Sequence, residues 1–96
     1  MNENKFQSKL IHDIKCRCPD CIVLKNDPNY IQGIPDLLIL NGKKWAALEC
    51  KKDKKASKRP NQDYYIQKMH KMSFARFISP ENKEEVLDEM EQSLKS

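Results

Sequence analysis

Long apolar runs are missing from this chain. No stretch of its 96 residues approaches the roughly 18 apolar residues of a membrane span, so a membrane protein is not expected. The opening "MNENKFQSKL" lacks the apolar core of a secretory signal, which predicts an intracellular, cytoplasmic protein. No internal repeat and no low-complexity linker interrupts the chain. Disorder is also excluded: apolar residues make up 39% and charged residues 33%, a balance that suits one soluble globular domain over residues 1–96. Four cysteines stand at 16, 18, 21 and 50, and in a reducing cytosol they are expected as thiols.

Net charge is +4, and it is segregated. "KKDKKASKR", residues 51 to 59, holds six basic residues in nine, whereas "ENKEEVLDEMEQ" near the C-terminus is acidic. The basic run reads either as a solvated lysine loop or as one face of a binding surface. What precedes it favours the second.

Phe6, Leu10 and Ile14 recur every four residues and predict a helix over 3–16. "CIVLK" predicts a strand over 21–25, and "NDPNYIQG" a loop over 26–33. "PDLLIL" and "KKWAALECK" flank Asn41-Gly42, a strong hairpin signal. Pro60 suits a first helical turn, with Tyr65, Met69 and Met72 as the apolar stripe behind it. "FARFI" predicts a strand over 74–78. Ser79-Pro80-Glu81 predicts a helix start, with Val86, Leu87, Met90 and Leu94 as its apolar face. The resulting fold is α/β, a mixed central sheet flanked by helices in the order α-β-β-β-α-β-α.

With Asn41 and Gly42 as the central turn residues, Leu40 faces Lys43 and Asp36 faces Ala47. Ala47, Glu49 and Lys51 then share the sheet face of Asp36, because side chains alternate along a strand. Asp36 and Glu49 become diagonal neighbours across the small Ala47. Two converging carboxylates repel unless a proton or a cation joins them. A hard divalent cation suits such oxygen ligands. A lysine one step further on could orient a metal-bound water or neutralise charge on a phosphate. This set fits phosphodiester hydrolysis. The plain alternative is an edge-strand ion pair beside a turn aspartate.

Pro35-Asp36, then Glu49-Cys50-Lys51 after a 12-residue gap, resembles the PD-(D/E)XK nuclease motif. The element order resembles that superfamily's restriction-endonuclease-like core. "GIPDLLIL", "ALECKK" and Gln62 in the following helix look like the VRR-NUC type, whose small phage and bacterial members resemble Holliday junction resolvases. The resemblance spans roughly residues 3 to 80. It implies that Asp36 and Glu49 bind Mg2+ or Mn2+ with the backbone carbonyl of Cys50. It implies a catalytic Lys51, and Gln62 beside it near the scissile phosphate. It suggests a further glutamate from the first helix, for which Glu3 is the best match and Asp13 a weaker one. It also implies a bacterial or phage-infected cell as the setting.

Lys52, Lys54, Lys55, Lys58 and Arg59 are the candidate nucleic-acid-binding residues. Cys16, Cys18 and Cys21, with His12 a turn earlier, are too crowded for an ordinary structural zinc site. Cys50 falls on the face opposite Glu49 and reads as a core thiol. The expected function is a metal-dependent endonuclease acting on DNA, selective for branched or Holliday-junction-like substrates and working as a homodimer. The alternative is a catalytically inactive module that holds nucleic acid or a protein on the same fold.

Overall fold

The computed structural model describes residues 2–96. Three helices and four strands follow the expected order: α1 (Glu3–Arg17), β1 (Ile22–Lys25), β2 (Leu37–Asn41), β3 (Lys44–Cys50), α2 (Pro60–Met72), β4 (Phe74–Ile78) and α3 (Lys83–Lys95). The strands form one sheet in sequence order. β1, β2 and β3 pair antiparallel, and β4 joins β3 in parallel after the α2 crossover, so the sheet is mixed. Among the described residues no helix is long and apolar enough to cross a membrane.

Alternation along the strands divides the core into two layers. Leu37, Ile39, Leu48, Cys50 and Ile78 face one side, where they pack with Phe6, Leu10 and Ile14 of α1 and with Val86, Leu87, Met90 and Leu94 of α3. The predicted stripes of α1 and α3 are therefore buried. The other side carries Ala47 and Ala75 against Ile66 of α2, with Leu38, Trp45, Met69 and Phe77 packed around them. The acidic face of α3 is spent on α1: Arg17 pairs with Glu84, Asp88 and Glu91, and Lys83 pairs with Asp13. Asp13 is thus engaged away from the sheet's polar end.

Several expectations are corrected. The hairpin turn is Gly42-Lys43, not Asn41-Gly42: Asn41 pairs with Lys44, and Leu38, not Asp36, faces Ala47. Gly42 takes φ +62, as a glycine-first turn requires, while Asn41 stays in β2 and its side-chain amide donates to the Leu94 carbonyl at 3.3 Å. The register therefore differs by two residues, which preserves the face of every side chain. In α2 the buried position is Ile66 instead of Tyr65, and Met72 is 63% exposed, because the small Ala47 and Ala75 beneath the helix admit Ile66. α3 begins at Lys83, since Asn82 turns back to accept from the Ser79 backbone N–H (2.8 Å) and holds residues 79–82 in a turn.

Cysteine chemistry also differs from the expectation of free thiols. Cys18 and Cys21 form a disulfide with Cα atoms 5.4 Å apart. A tight turn, in which the Cys21 N–H donates to the Cys18 carbonyl (3.0 Å), brings them within bridging distance. Cys16 remains a thiol on the exposed side of α1, with its sulfur 3.6 Å from His12 Nε2. Cys50 is a buried core thiol whose pKa is pushed well up by burial.

Candidate active site

Pro35 is buried and Asp36 follows it immediately before β2. Extending the β2–β3 ladder one step beyond Leu37–Leu48 sets Asp36 directly opposite Glu49. The two are thus direct cross-strand partners, closer than the diagonal relation expected from the sequence. The strand edge fixes Asp36: the Cys50 backbone N–H donates to its Oδ2 at 2.9 Å, and its own carbonyl accepts from the Asn26 N–H at 2.9 Å.

Glu49 is only 4% exposed and Lys51 8%. Burial, then the charge of Asp36 opposite, pushes the Glu49 carboxyl up to about 8. Asp36 is also raised, mainly by burial, although the Cys50 N–H works in the opposite direction. Glu3, at the first turn of α1, adds negative charge to both. At neutral pH the pair requires a proton or a cation to relieve it.

Gln62 joins the carboxylate to the amine. Its Nε2 donates to Glu49 Oε2 (2.9 Å) and its Oε1 accepts from Lys51 Nζ (2.6 Å). The orientation of the amide is dictated by Lys51, because an ammonium only donates and so must meet the amide oxygen. The start of α2 aims this side chain. Gln62 is the third helical residue, and its Oε1 also accepts the Arg59 backbone N–H (3.2 Å), the capping arrangement of a helix N-terminus. Lys51 Nζ makes a second hydrogen bond to the Ser57 carbonyl (2.9 Å). Ser57 carries no signal in the sequence, since its backbone is what acts.

The expected site residues therefore converge. Glu3, Asp36, Glu49, Lys51 and Gln62 line one cavity of about 460 Å³, with Lys52 and Arg59 at its basic side. Glu3 lines this cavity, but among the described residues no group of three His, Cys, Asp or Glu side chains has the geometry to hold a metal ion. A cation here would rest on two carboxylates, a backbone carbonyl and water. That all-oxygen set suits magnesium or manganese, which keep several waters and accept substrate oxygens. The clustered cysteines do not form such a site: two are joined to each other and the third stands beside His12.

The segment from Lys52 to Arg59 lies as a strap beside the cavity. Lys52, Lys54, Lys55, Lys58 and Arg59 are all exposed and make no ion pair among the described residues. Lys58 Nζ sits 4.4 Å from the centre of the Phe77 ring, a cation–π interaction that ties the strap to β4. The Lys54 N–H reaches Glu81 Oε2 at 3.3 Å.

No protein-family model and no curated protein matches the chain. Solved structures do. A VRR_NUC domain protein superposes with a TM-score of 0.72 over 99% of this chain and 89% of its own, at 18% identity. A Holliday junction resolvase, Hjc of Archaeoglobus fulgidus, superposes with a TM-score of 0.53 over 79% of this chain and 67% of its own, at 12% identity. At these identities the likeness is one of fold: the chain has the fold shared by a VRR_NUC domain and a junction resolvase, as the sequence resemblance implied.

Proposed function

We propose that this protein is a metal-dependent endonuclease that hydrolyses DNA phosphodiester bonds, with branched DNA as its preferred substrate. One observation carries the reading: a carboxylate pair, Glu49 buried and Asp36 half-buried, on a nuclease/resolvase fold is linked through Gln62 to a buried lysine. Here an amide holds acid and amine apart, and both face an open cavity.

Asp36, Glu49 and the Cys50 carbonyl would hold Mg2+ or Mn2+. When bound, the cation supplies an activated water and offsets charge on the phosphate. The chain's own residues do the rest. Lys51, fixed by Gln62 and Ser57, places an ammonium where negative charge grows on the phosphate in the transition state. Gln62 keeps Lys51 and Glu49 in register. The strap lysines hold the flanking backbone by charge, without reading sequence. The likeness to a named junction resolvase supports a branched substrate.

Two sites would be needed to cut two strands, and a homodimer supplies them. Ile22 and Leu24 pair with Leu40 and Leu38 on the sheet face that α2 leaves uncovered, and both are exposed. An exposed apolar edge of this kind supports a second copy as its cover. Sedimentation of the parent should give a dimer, and Leu24→Glu a monomer; a monomeric parent would remove the dimer from this reading.

The functional test is incubation with linear and four-way-branched DNA in manganese and in chelator. Cleavage only with metal, and faster on the branched substrate, is expected. Retarded but uncut DNA would favour a non-catalytic binding module.

A further inference from the structure

The carboxylate pair borders two cavities, and lysines line only one of them. The second has a volume of about 320 Å³ and shares Asp36, Glu49, Arg59 and Gln62 with the first. Its remaining walls are Pro28, Gln32, Gly33 and Ile34 from the loop before β2, and Pro60 and Asn61 from the start of α2. None of these six is charged. The prolines and an isoleucine offer apolar surface, and each of the two amides can both donate and accept a hydrogen bond.

From this geometry we propose that the second cavity is a nucleobase subsite, which takes an unstacked base next to the phosphate held at Asp36 and Glu49. The proposal rests on the nuclease reading for the position of that phosphate. The two cavities lie side by side, with Asp36, Glu49, Arg59 and Gln62 forming walls of both. A backbone phosphate at the carboxylates therefore leaves its base within one nucleotide of Pro60 and Asn61. The lining also suits a base. Binding pockets combine apolar walls with a few converging polar groups, and unstacked bases are held by stacking and by bonds to their edges. Amides that both donate and accept can serve any base, so the subsite would select an accessible base, not a particular one.

The wall is also built in advance. Gly33 adopts φ +90, and a Cβ there would lie 2.4 Å from the Asn61 Cβ. Glycine thus lets the loop press against α2 and close one end of the cavity. The loop is pinned by Asn26, whose side chain donates to the Pro35 carbonyl (2.8 Å), and by Asp27, whose Oδ1 accepts from the Asn29 N–H (2.8 Å). A base inside an intact duplex cannot enter such a cavity. Cleavage would then favour branch points, bulges and single strands because a base can leave the stack there.

Two measurements test this. In the first, side-chain amide resonances of Gln32 and Asn61 and backbone resonances of Lys52 and Lys54 are followed in the parent during titration in calcium. The ligands are a tetradeoxyadenylate and an abasic strand of equal length. Gln32 and Asn61 should shift with the base-bearing strand only, whereas Lys52 and Lys54 should shift with both. Unmoved Gln32 and Asn61, or equal shifts with the abasic strand, would overturn the proposal. In the second, a single abasic residue is moved through the positions flanking the cut. At one position the parent should lose about tenfold in cleavage, the scale of one net hydrogen bond to a base edge. The doubly substituted Gln32→Ala/Asn61→Ala protein, altered only at exposed positions, should lose almost nothing further there. A flat scan in an actively cutting parent removes the subsite and leaves the nuclease. Base-dependent amide shifts in a parent that cuts nothing support the subsite and remove the nuclease.

Discussion

The Lys51 ammonium lies 2.6 Å from Gln62 Oε1, and it reaches Glu49 through that amide, whose Nε2 is 2.9 Å from Glu49 Oε2. An ammonium bonded to a carboxylate would be spent in the ground state. Bonded to an amide it keeps its charge available for a phosphate. Gln62→Ala should therefore let Lys51 drift toward Glu49 and slow cleavage about tenfold to a hundredfold, the scale of an ångström-sized misplacement, with little loss of DNA affinity. Single-turnover rates beside equilibrium binding check this. An affinity loss equal to the rate loss would make Gln62 a binding residue.

Asp36→Asn and Glu49→Gln should each abolish metal-dependent cleavage and leave the fold intact, because each removes half of the acidic donor set. Calorimetric titration with manganese should show weakened binding in both. Full cleavage by either variant at saturating magnesium would remove that residue from the site.

The raised carboxyl of Glu49 predicts a pH dependence with a definite sign. Its ordinary value is 4.5 and its folded value about 8. Between these the folded state holds a proton that the unfolded state has lost, so the stability it contributes is present at low pH and is lost as pH rises through 8. In chelator, the melting temperature should fall from about pH 5 to about pH 8. Glu49→Gln should shrink that fall, and calcium should raise the melting temperature most at the alkaline end. A melting temperature that rises over this range in chelator would contradict a buried Glu49 carboxyl facing Asp36.

The strap should act through charge alone. Removing any one phosphate-binding charge among Lys52, Lys54, Lys55, Lys58 and Arg59 should flatten the plot of log affinity against log salt by about 0.9 on duplex DNA. Lys58→Ala should do more than this, since Lys58 also ties the strap to Phe77. An unchanged slope in the fivefold alanine variant would place the DNA elsewhere.

The parts of this site that follow from side-chain periodicity are legible in the sequence. Phe6, Leu10 and Ile14 declare a helix face, and alternation from Asp36 and from Glu49 declares a shared sheet face. The turn falls one residue later than the sequence suggests. Asn41 is a good turn former in isolation, yet here it pairs with Lys44 and bonds to Leu94 across 53 positions of sequence. The resulting change of register leaves the site intact only because it is even. The Ser57 carbonyl, the close approach of Gly33 to Asn61 and the Cys18–Cys21 bridge cannot be read in this way. Each depends on backbone brought together by the fold, and none leaves a periodic trace. Ile66 displaces Tyr65 in α2 for a similar reason, since Ala47 and Ala75 decide which side chain fits above them.

Lys51 offers the sharpest test of the proposed mechanism. An ammonium that stabilises charge present only in the transition state alters turnover more than ground-state affinity. Single-turnover cleavage of branched DNA in magnesium should be compared with binding in calcium for the parent, Lys51→Ala and Lys51→Arg. Lys51→Ala should bind DNA nearly as well as the parent but cleave at least about a hundredfold more slowly. Lys51→Arg should restore the rate only in part, because a planar fork cannot replace a compact charge held between Gln62 and Ser57. A Lys51→Ala protein that loses affinity in proportion to its rate, or that cleaves at the parental rate, would contradict a transition-state role for this lysine.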